Sequence, residues 1–273
     1  MATDASSQPL QRRLALVTGA SSGIGLSLAK QFAKSGCDLL VTGASEAIDG
    51  VVEELRQWGT DVQAFRADLR TSEGVESLWR WVREGERALD LAALNAGVGV
   101  GGAFSETDLQ RELDLVALNV ASTVHLSKRL VQSMCARGKG RILFTSSISS
   151  EMRSPFEAVY GASKSFIQSF AHSLREELKG TGVSVTVFLP GPTETNFFHR
   201  AEMDDTRVGA GKKDDPDQVA RQAYLALMAG LPQLHTGSVK TRLMGVASRF
   251  LPELLKAKAH RRMSEPGGAH ADA

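Results

Sequence analysis

Cysteine is scarce in this chain of 273 residues, which contains only Cys37 and Cys135. The two lie far apart and form no CxxC or Cys/His cluster, so the sequence indicates neither a disulfide framework nor a zinc site. The six histidines also show no metal-binding spacing, and we expect no bound metal. This cysteine usage is typical of a reducing compartment and predicts a cytoplasmic protein.

Long apolar runs and an excess of one charge are missing as well. No uninterrupted apolar stretch approaches the roughly 18 residues of a membrane-spanning helix. Residues 1–10 contain no secretion-type apolar run and are expected to form a disordered tail. Lys and Arg number 32 against 31 Asp and Glu, and this net charge of +1 gives no electrostatic reason to expect nucleic acid binding. A small molecule is therefore the expected partner.

What the sequence does contain is an alternation of two apolar patterns. Short β-branched or leucine-rich runs predict strands at residues 14–18, 38–42, 62–66, 89–94, 141–146 and 183–189. Apolar residues at helical spacing predict helices at residues 25–35, 46–58, 72–84, 108–136 and 161–179. This alternation predicts an α/β fold with a doubly wound parallel sheet of about seven strands and helices on both faces. Since we see no repeat and no early linker, we expect one catalytic domain over residues 11–239.

The first predicted strand ends in a glycine-rich turn that leads directly into a helix. Glycine lets the backbone turn tightly and approach a diphosphate, whose charge then meets free amides and the positive end of the helix dipole. The spacing from Gly19 to Gly25 is GxxxGxG, which differs from the GxGxxG fingerprint of dinucleotide-binding proteins. Alone it also fits a plain strand–helix connection, but the strand–helix context favours a phosphate-binding loop.

The end of the second predicted strand bears on the choice of cofactor. NAD-binding proteins place a carboxylate there, about 20 residues beyond the glycines, on the ribose 2′-hydroxyl. This chain has Thr42-Gly43-Ala44-Ser45 at that point, with Asp38 at the start of the strand and Glu46 beyond its tip. NADP(H) is therefore favoured over NAD(H). No Lys or Arg stands at the tip, so Ser45, backbone amides or a distant cation would have to hold the 2′-phosphate.

Tyr160 and Lys164 are four residues apart at the start of a predicted helical stretch, which places them one turn apart on the same face. Free tyrosine has a pKa of about 10, and a neighbouring ammonium group favours its phenolate form. A general acid or base works best when its pKa is close to the operating pH, so this pairing has a chemical purpose. A single YxxxK pattern also occurs by chance, and its meaning depends on the residues around it.

The order and spacing of these motifs resemble the short-chain dehydrogenase/reductase family in its single-domain form, over most of the chain. Thr18–Gly25 is similar to the family's TGxxxGxG loop, Asn95-Ala96-Gly97 to its NAG strand end, and Tyr160 with Lys164 to its YxxxK site. The resemblance implies a Rossmann fold and an NAD(P)-dependent oxidoreductase. It also implies that a hydride passes between the nicotinamide and a substrate carbonyl carbon, while the Tyr160 hydroxyl supplies or removes the proton on oxygen.

The same resemblance assigns further catalytic roles. Ser147, thirteen residues before Tyr160, falls at the family's catalytic serine and would orient the substrate oxygen. Lys164 would bind the nicotinamide ribose and lower the pKa of Tyr160. Asn119 falls at the family's helix asparagine and would hold a water that links Lys164 to solvent. The expected catalytic residues are therefore Asn119, Ser147, Tyr160 and Lys164.

The residues expected to contact the cofactor lie at the carboxyl ends of the predicted strands. Asp68 would flank the adenine, and Pro190-Gly191 with Thr195 resembles the segment that closes on the nicotinamide. Two positions at which NADP-preferring members sometimes have a Lys or Arg are serines here, Ser21 and Ser22. The full expected set is Gly19, Ser21, Ser22, Gly23, Ile24, Gly25, Ser45, Asp68, Leu69, Asn95, Ala96, Gly97, Tyr160, Lys164, Pro190, Gly191, Thr193 and Thr195.

Residues 192–215 follow a predicted strand and show no strong periodicity. Loops of this length are uncommon unless they are functional or disordered, which leaves a substrate lid or a disordered surface insertion as interpretations. Phe197 and Phe198 favour the lid, because adjacent aromatics in a polar loop can cover an apolar ligand. The apolar residues expected to wall the substrate pocket are Val98, Phe104, Met152, Phe156 and Phe197, and they predict an apolar substrate.

Residues 240–273 form a basic, amphipathic C-terminal extension. Between residues 240 and 263 it carries seven Lys or Arg against Glu253 as the one acid. Its apolar positions at roughly helical spacing are Leu243, Val246, Phe250, Leu254 and Leu255. Docking on the protein's own body or on another subunit is favoured, because Pro252 interrupts the helix. Peripheral association with an acidic membrane surface is the alternative.

Taken together, the sequence predicts hydride transfer between NADP(H) and a largely apolar carbonyl or secondary alcohol. A catalytically silent dinucleotide sensor or scaffold is the alternative, although the complete set of four catalytic residues argues against it. An epimerase or dehydratase would also use YxxxK, but normally needs a larger second substrate-binding region. Apolar positions beyond one face of helix 108–136, the helix that pairs with its copy in the family, predict a homodimer or homotetramer.

Overall fold

The computed structural model describes residues 12–248 and 252–270, and its centre is a parallel sheet of seven strands. Along the sheet the strands follow the order β3-β2-β1-β4-β5-β6-β7. The strands are β1 (Leu14–Thr18), β2 (Asp38–Gly43), β3 (Val62–Arg66), β4 (Leu91–Leu94), β5 (Gly140–Thr145), β6 (Val183–Pro190) and β7 (Gln233–Thr236). This order confirms the predicted doubly wound α/β fold. The order reverses between β1 and β4, which opens a crevice at the carboxyl ends of the strands.

Helices cover both faces of the sheet. They are α1 (Gly23–Lys34), α2 (Ala47–Arg56), α3 (Ser72–Glu84), α4 (Leu109–Val116), α5 (Ser122–Ala136), α6 (Ala158–Glu177), α7 (Phe197–Arg200), α8 (Arg207–Ala210), α9 (Pro216–Ala229), α10 (Val239–Ser248) and α11 (Glu253–Ser264). A π-helical turn spans Ala117–Ala121, and 3-10 turns span Ile148–Glu151 and Gly268–His270. No helix in this part of the chain is long and apolar enough to cross a membrane.

Adjacent residues of the central strands feed two separate cores, one on each face of the sheet. Leu16 and Phe144 pack toward one face with residues of α3, α5 and α6. Val17 and Leu143 pack toward the other with residues of α1, α2 and α9, including Phe32. Side chains of a strand alternate between the faces, so strands covered on both sides must be apolar throughout. The five residues of β1 are accordingly all buried.

Several predicted boundaries differ from those in the structure. The helix predicted over residues 108–136 is two helices, α4 and α5, joined by the π-helical turn at Ala117–Ala121. The helix predicted from residue 161 begins at Ala158, so Tyr160 already lies inside it. β7 matches none of the predicted strands, because a four-residue strand is too short to show alternation.

Residues 192–215 are folded onto the strand ends. A bridge pairs Thr193 with Asp214, and α7 and α8 lie between them. Phe198, Ala201 and Met203 form a small buried cluster inside the segment. The backbone of Gly101 donates a hydrogen bond to the Ala201 carbonyl at 2.9 Å, which fixes the segment to the loop after β4.

The C-terminal extension buries a different side of its helix from the one that the sequence predicts. Leu254 and Leu255, which the amphipathic pattern assigns to its apolar face, are exposed. Lys256, His260 and Ser264 are buried instead, and their spacing of four residues places them on one side of α11. The predicted tail 1–10 and the positions Arg249 and Phe250 lie outside the described residues.

Candidate active site

The turn between β1 and α1 forms a cradle of backbone amides. Gly19 has a φ of +66°, which favours glycine. A Cβ at Gly25 would lie 2.0 Å from the Gly19 carbonyl oxygen, so this close approach also requires glycine. The side chain of Ser22 does not cap α1, and the first amides of the helix are left for a ligand. An anion at this point would meet those amides and the positive end of the helix dipole.

A hydrogen-bond network joins the ends of β1, β4 and β5 beside this cradle. Thr18 Oγ1 accepts hydrogen bonds from the backbone amides of Asn95 and Ala96 at 2.9 and 3.0 Å. The Asn95 side chain donates to the Thr18 carbonyl at 3.2 Å and accepts from Thr145 Oγ1 at 3.1 Å. The NAG segment therefore has a structural function here, because it fixes the floor of the crevice.

Asn119 lies in the π-helical turn and holds the loop after β4. Its Nδ2 donates to the Val98 carbonyl at 2.9 Å and to Ser163 Oγ at 3.1 Å, while its Oδ1 accepts from the Val98 amide at 3.0 Å. The side chain is buried. A π-helical turn inside a helix often marks a functional site, and here it sets the direction of this one amide.

Ser147, Tyr160 and Lys164 come together at the carboxyl end of β5. Ser147 begins the 3-10 turn, and its Oγ accepts a hydrogen bond from the Ser149 amide at 3.1 Å. Tyr160 and Lys164 lie one turn apart on α6, with Lys164 Nζ 5.6 Å from the centroid of the Tyr160 ring. Ser146, which lies next to Ser147, uses its hydroxyl to donate to the Lys164 carbonyl at 2.8 Å.

Burial dominates the electrostatics of this group. It raises the pKa of Tyr160 well above 10, and the carboxyl of Glu157 raises this pKa further, whereas the Ser147 hydroxyl lowers it. Burial also lowers the pKa of Lys164 to about 8. The expected lowering of the Tyr160 pKa by Lys164 is not seen in the chain alone. The reason is that both groups are withdrawn from water, which disfavours phenolate and ammonium alike.

One cavity of about 590 Å³ connects the cradle to Tyr160, and it is large enough for a cofactor-sized ligand. All predicted cofactor contacts line it except Ser45, which is exposed and lies outside. The cavity wall at the end of β2 is formed by Gly43 and Ala44, so the contact of Ser45 with the cofactor stays a prediction. Asn119 also lies outside the cavity lining and hydrogen-bonds to the Val98 backbone, and its predicted role in holding a water stays a prediction.

The walls beyond Tyr160 are largely apolar. Val98, Met152 and Phe197 line the cavity as predicted, and the Phe197 and Tyr160 rings lie 5.2 Å apart. Phe104 does not line the cavity, and this residue is 66% exposed. Phe156 is also absent from the lining and packs its ring against Arg261, with the guanidinium 5.4 Å from the ring centroid.

Sequence reasoning missed two sets of cavity residues. Arg70 and Arg200 line the cofactor end, and Arg200 Nη1 lies 3.5 Å from Ser22 Oγ. The available signals were a basic residue two positions after Asp68 and another inside residues 192–215. The second set gave no signal, since it comes from the helix α11 and from the residue before α6: Glu157, Ala259, His260, Met263 and Ser264.

The chain belongs to the short-chain dehydrogenase family, because a model of that family matches residues 13–206. An uncharacterized oxidoreductase of Staphylococcus saprophyticus is 32% identical over 220 residues, which cover 80% of this chain and 92% of that protein. The 1-deoxy-11-beta-hydroxypentalenate dehydrogenase of Streptomyces exfoliatus is 35% identical over 210 residues, which cover 74% of this chain and 76% of the relative.

The solved structures agree with this family. A short-chain dehydrogenase from Sphingobium yanoikuyae in complex with NADPH has a TM-score of 0.77 and 27% identity, and the match covers 82% of this chain and 87% of that one. The family resemblance stated from the sequence is thereby confirmed. The protein is an NAD(P)-dependent oxidoreductase with a Rossmann fold.

Proposed function

We propose that this enzyme transfers a hydride between NADP(H) and a largely apolar carbonyl or secondary alcohol, with Tyr160 as the general acid and base. The observation that carries the proposal is one continuous cavity that runs from the glycine cradle of α1 to Tyr160 and on to an apolar wall. When bound, the nicotinamide would accept or donate the hydride. Ser147 would hold the substrate oxygen beside the Tyr160 hydroxyl, so that the proton and the oxygen meet at one point.

Lys164 contributes a positive charge at the other side of Tyr160. Its ammonium group donates a hydrogen bond to the Thr145 carbonyl at 3.1 Å and keeps further donors for the hydroxyls of a ribose. Asn119 fixes the Val98 backbone that forms the neighbouring wall. The cationic nicotinamide of an oxidised cofactor would add the positive charge that favours the Tyr160 phenolate.

The end of β2 supports NADP(H) over NAD(H). The cavity wall there contains Gly43 and Ala44, with no carboxylate to repel a 2′-phosphate. Asp68 is the nearest acid of the lining, and it accepts hydrogen bonds from Arg70 at 2.7 and 3.0 Å. The Arg70 guanidinium compensates the charge of Asp68, but it also donates to Asp114 Oδ2 at 2.7 Å and is therefore already shared between two carboxylates.

The apolar lining supports an apolar substrate. Val98, Met152 and Phe197 face the space beyond Tyr160, and Met263 adds a further apolar side chain from α11. The Streptomyces relative is named as a dehydrogenase of a hydroxylated carboxylate, and this name supports the alcohol part of the proposal. The folded segment 192–215 would act as the substrate lid, since it supplies Phe197.

The experiment is a panel of plain ketones and aldehydes with NADPH or NADH, followed by the loss of reduced-nicotinamide absorbance. We expect turnover with NADPH and a loss of at least about 100-fold in Tyr160→Phe, because general acid–base catalysis contributes 10²–10⁴-fold. Cofactor titration by fluorescence should show that Tyr160→Phe still binds NADPH. Retained turnover in this variant would refute the role of Tyr160, and binding without turnover in the native enzyme would favour the sensor alternative.

A further inference from the structure

Three polar residues form a buried corner of the cavity, which we call the polar corner: Glu157, His260 and Ser264. Glu157 stands at the start of α6, one turn before Tyr160, whereas the other two belong to α11. Ser264 Oγ donates a hydrogen bond to Glu157 Oε2 at 3.0 Å, and His260 Nε2 lies 3.4 Å from the same oxygen. All three line the cavity that contains Tyr160. The C-terminal helix therefore completes the active site.

The polar corner has unused hydrogen-bonding capacity. In the described part of the chain, Ser264 is the one residue that donates a hydrogen bond to the Glu157 carboxyl, and it reaches Oε2. The other oxygen, Oε1, accepts none from these residues. His260 Nδ1 is buried and makes no hydrogen bond of normal geometry with the described residues; burial lowers the pKa of this imidazole, while the backbone of Pro155 lies close enough to raise it. The two residues are each 6% exposed, and a buried polar group without a partner is costly.

The surroundings of the polar corner limit which chemical groups can bind there. Met152, Phe197 and Met263 line the same space and are apolar. An entirely apolar substrate would bury the Glu157 carboxyl without replacing the water that it loses. A carboxylate-bearing substrate would meet a second carboxyl at close range, which like charges disfavour. A neutral hydroxyl group fits, because it donates to a carboxylate and accepts from a protonated carboxyl.

We propose that the polar corner binds a hydroxyl group of the substrate, which makes this enzyme selective for apolar ketones or secondary alcohols that carry a second hydroxyl. Glu157 makes the hydrogen bond, and His260 and Ser264 hold its carboxyl in place. This inference relies on the proposed function, since the second hydroxyl is recognised in the same cavity in which Tyr160 acts on the first oxygen. Sites built to bond a hydroxyl reject analogues that lack it, because their buried polar groups are then unpaired.

The test compares matched ketones with and without a hydroxyl. The probes are linear 2-alkanones from 2-pentanone to 2-nonanone with their terminal hydroxy derivatives, and 1-decalone with its ring-hydroxylated derivatives. The readout is the ratio of kcat/KM between each hydroxylated ketone and its plain partner. Because each ratio is taken within one enzyme, a change in folding or in the Tyr160 pKa affects both members and cancels.

We expect the native enzyme to prefer at least one hydroxylated ketone by about tenfold, the effect of one hydrogen bond. The preference should lie mainly in KM, since this contact is remote from the reacting carbon. Glu157→Leu should reduce the ratio to about one and His260→Phe should reduce it in part. Glu157→Gln, which retains a hydrogen-bonding side chain, should keep most of it. Lys258→Ala is the matched control, because Lys258 lies on the exposed side of α11.

Two results would overturn the inference. The first is a native enzyme that turns over plain ketones and shows no hydroxyl preference on any scaffold. The second is a preference that Glu157→Leu leaves unchanged. Both would leave the proposed function intact, because plain ketones would still be reduced. A failure to turn over every ketone, plain or hydroxylated, would instead refute the proposed function and this inference with it.

Discussion

Lys164 Nζ donates a hydrogen bond to the backbone carbonyl of Thr145 at 3.1 Å, from a side chain that is buried. Ser146 returns a hydrogen bond to the Lys164 carbonyl at 2.8 Å. These two bonds join the end of β5 to α6 in both directions. As a result, the position of Ser147 at the end of β5 is fixed relative to that of Tyr160 on α6.

The buried ammonium of Lys164 should cost stability at neutral pH. Its pKa is lowered from the usual 10.5 to about 8, so the folded chain releases this proton before the unfolded chain does. The native protein therefore gains stability as the pH rises from about 8 to about 10.5, and below pH 8 it bears the full penalty. We expect Lys164→Met to be inactive yet more stable at pH 7, by as much as about 3 kcal/mol.

Urea unfolding of the cofactor-free protein at a series of pH values measures this effect. The difference between Lys164→Met and the native protein should shrink as the pH approaches 10. Lys179→Met, an exposed position close after α6, serves as the control and should show no such trend. A Lys164→Met protein that is less stable at every pH would contradict the penalty assigned to burial.

A carboxylate at the end of β2 should change the cofactor preference. We expect Ala44→Asp to weaken NADPH binding at least tenfold, because the new charge repels the 2′-phosphate, while NADH binding is unchanged or improved. Ala44→Ser adds a side chain without charge and should leave the preference for NADPH in place. Fluorescence titration of both cofactors measures the two affinities. Equal weakening of NADPH and NADH would indicate a steric effect and contradict the prediction.

Arg200, in the segment 192–215, is expected to contact the cofactor. Its guanidinium lies 3.5 Å from the Ser22 hydroxyl, within the cavity at the phosphate cradle. We expect Arg200→Gln to raise the Kd of NADPH about three- to tenfold, with a smaller salt dependence than the native enzyme shows, since an exposed charge contributes modestly. Arg221→Gln on α9 removes an exposed arginine outside the cavity and controls for net charge. Identical affinities for both variants would exclude the contact.

An apolar stripe on α4 is expected to hold two subunits together. Leu109, Leu113 and Val116 recur at helical spacing and are 69%, 51% and 41% exposed. We expect a homo-oligomer in which Leu113→Glu shifts the mass measured by light scattering toward that of a monomer. Leu225→Glu on α9 places the same charge at another exposed leucine and should leave the mass unchanged. A native protein that is monomeric at micromolar concentration would refute this expectation.

Local sequence determined most of the cofactor side of this protein. The glycines of the β1–α1 turn, the NAG segment and the YxxxK pair each lie within a few residues of one another, so their spacing already fixes their geometry. Gly25 illustrates the reason, because a side chain there would lie 2.0 Å from the Gly19 carbonyl oxygen six residues earlier. Six of the seven strands were also predictable, since strands buried on both faces must be apolar throughout.

Local sequence patterns did not predict the surroundings of Ser45 and Asn119 or the polar residues on the substrate side. Ser45 lies two residues beyond the end of β2 and outside the cavity lining, which Gly43 and Ala44 form at this point. The π-helical turn around Asn119 has no periodicity of its own, and its effect depends on Val98 and Ser163.

The sequence by itself therefore determined the fold, the cofactor loop and the positions of Ser147, Tyr160 and Lys164. The tertiary structure decided which polar residues join the cavity beyond Tyr160. His260 and Ser264 lie about 100 residues after Glu157 in the chain and meet it only because α11 packs across the cavity. No local pattern encodes such a contact. The buried side of α11 is polar, and from the sequence this side would be predicted to face solvent.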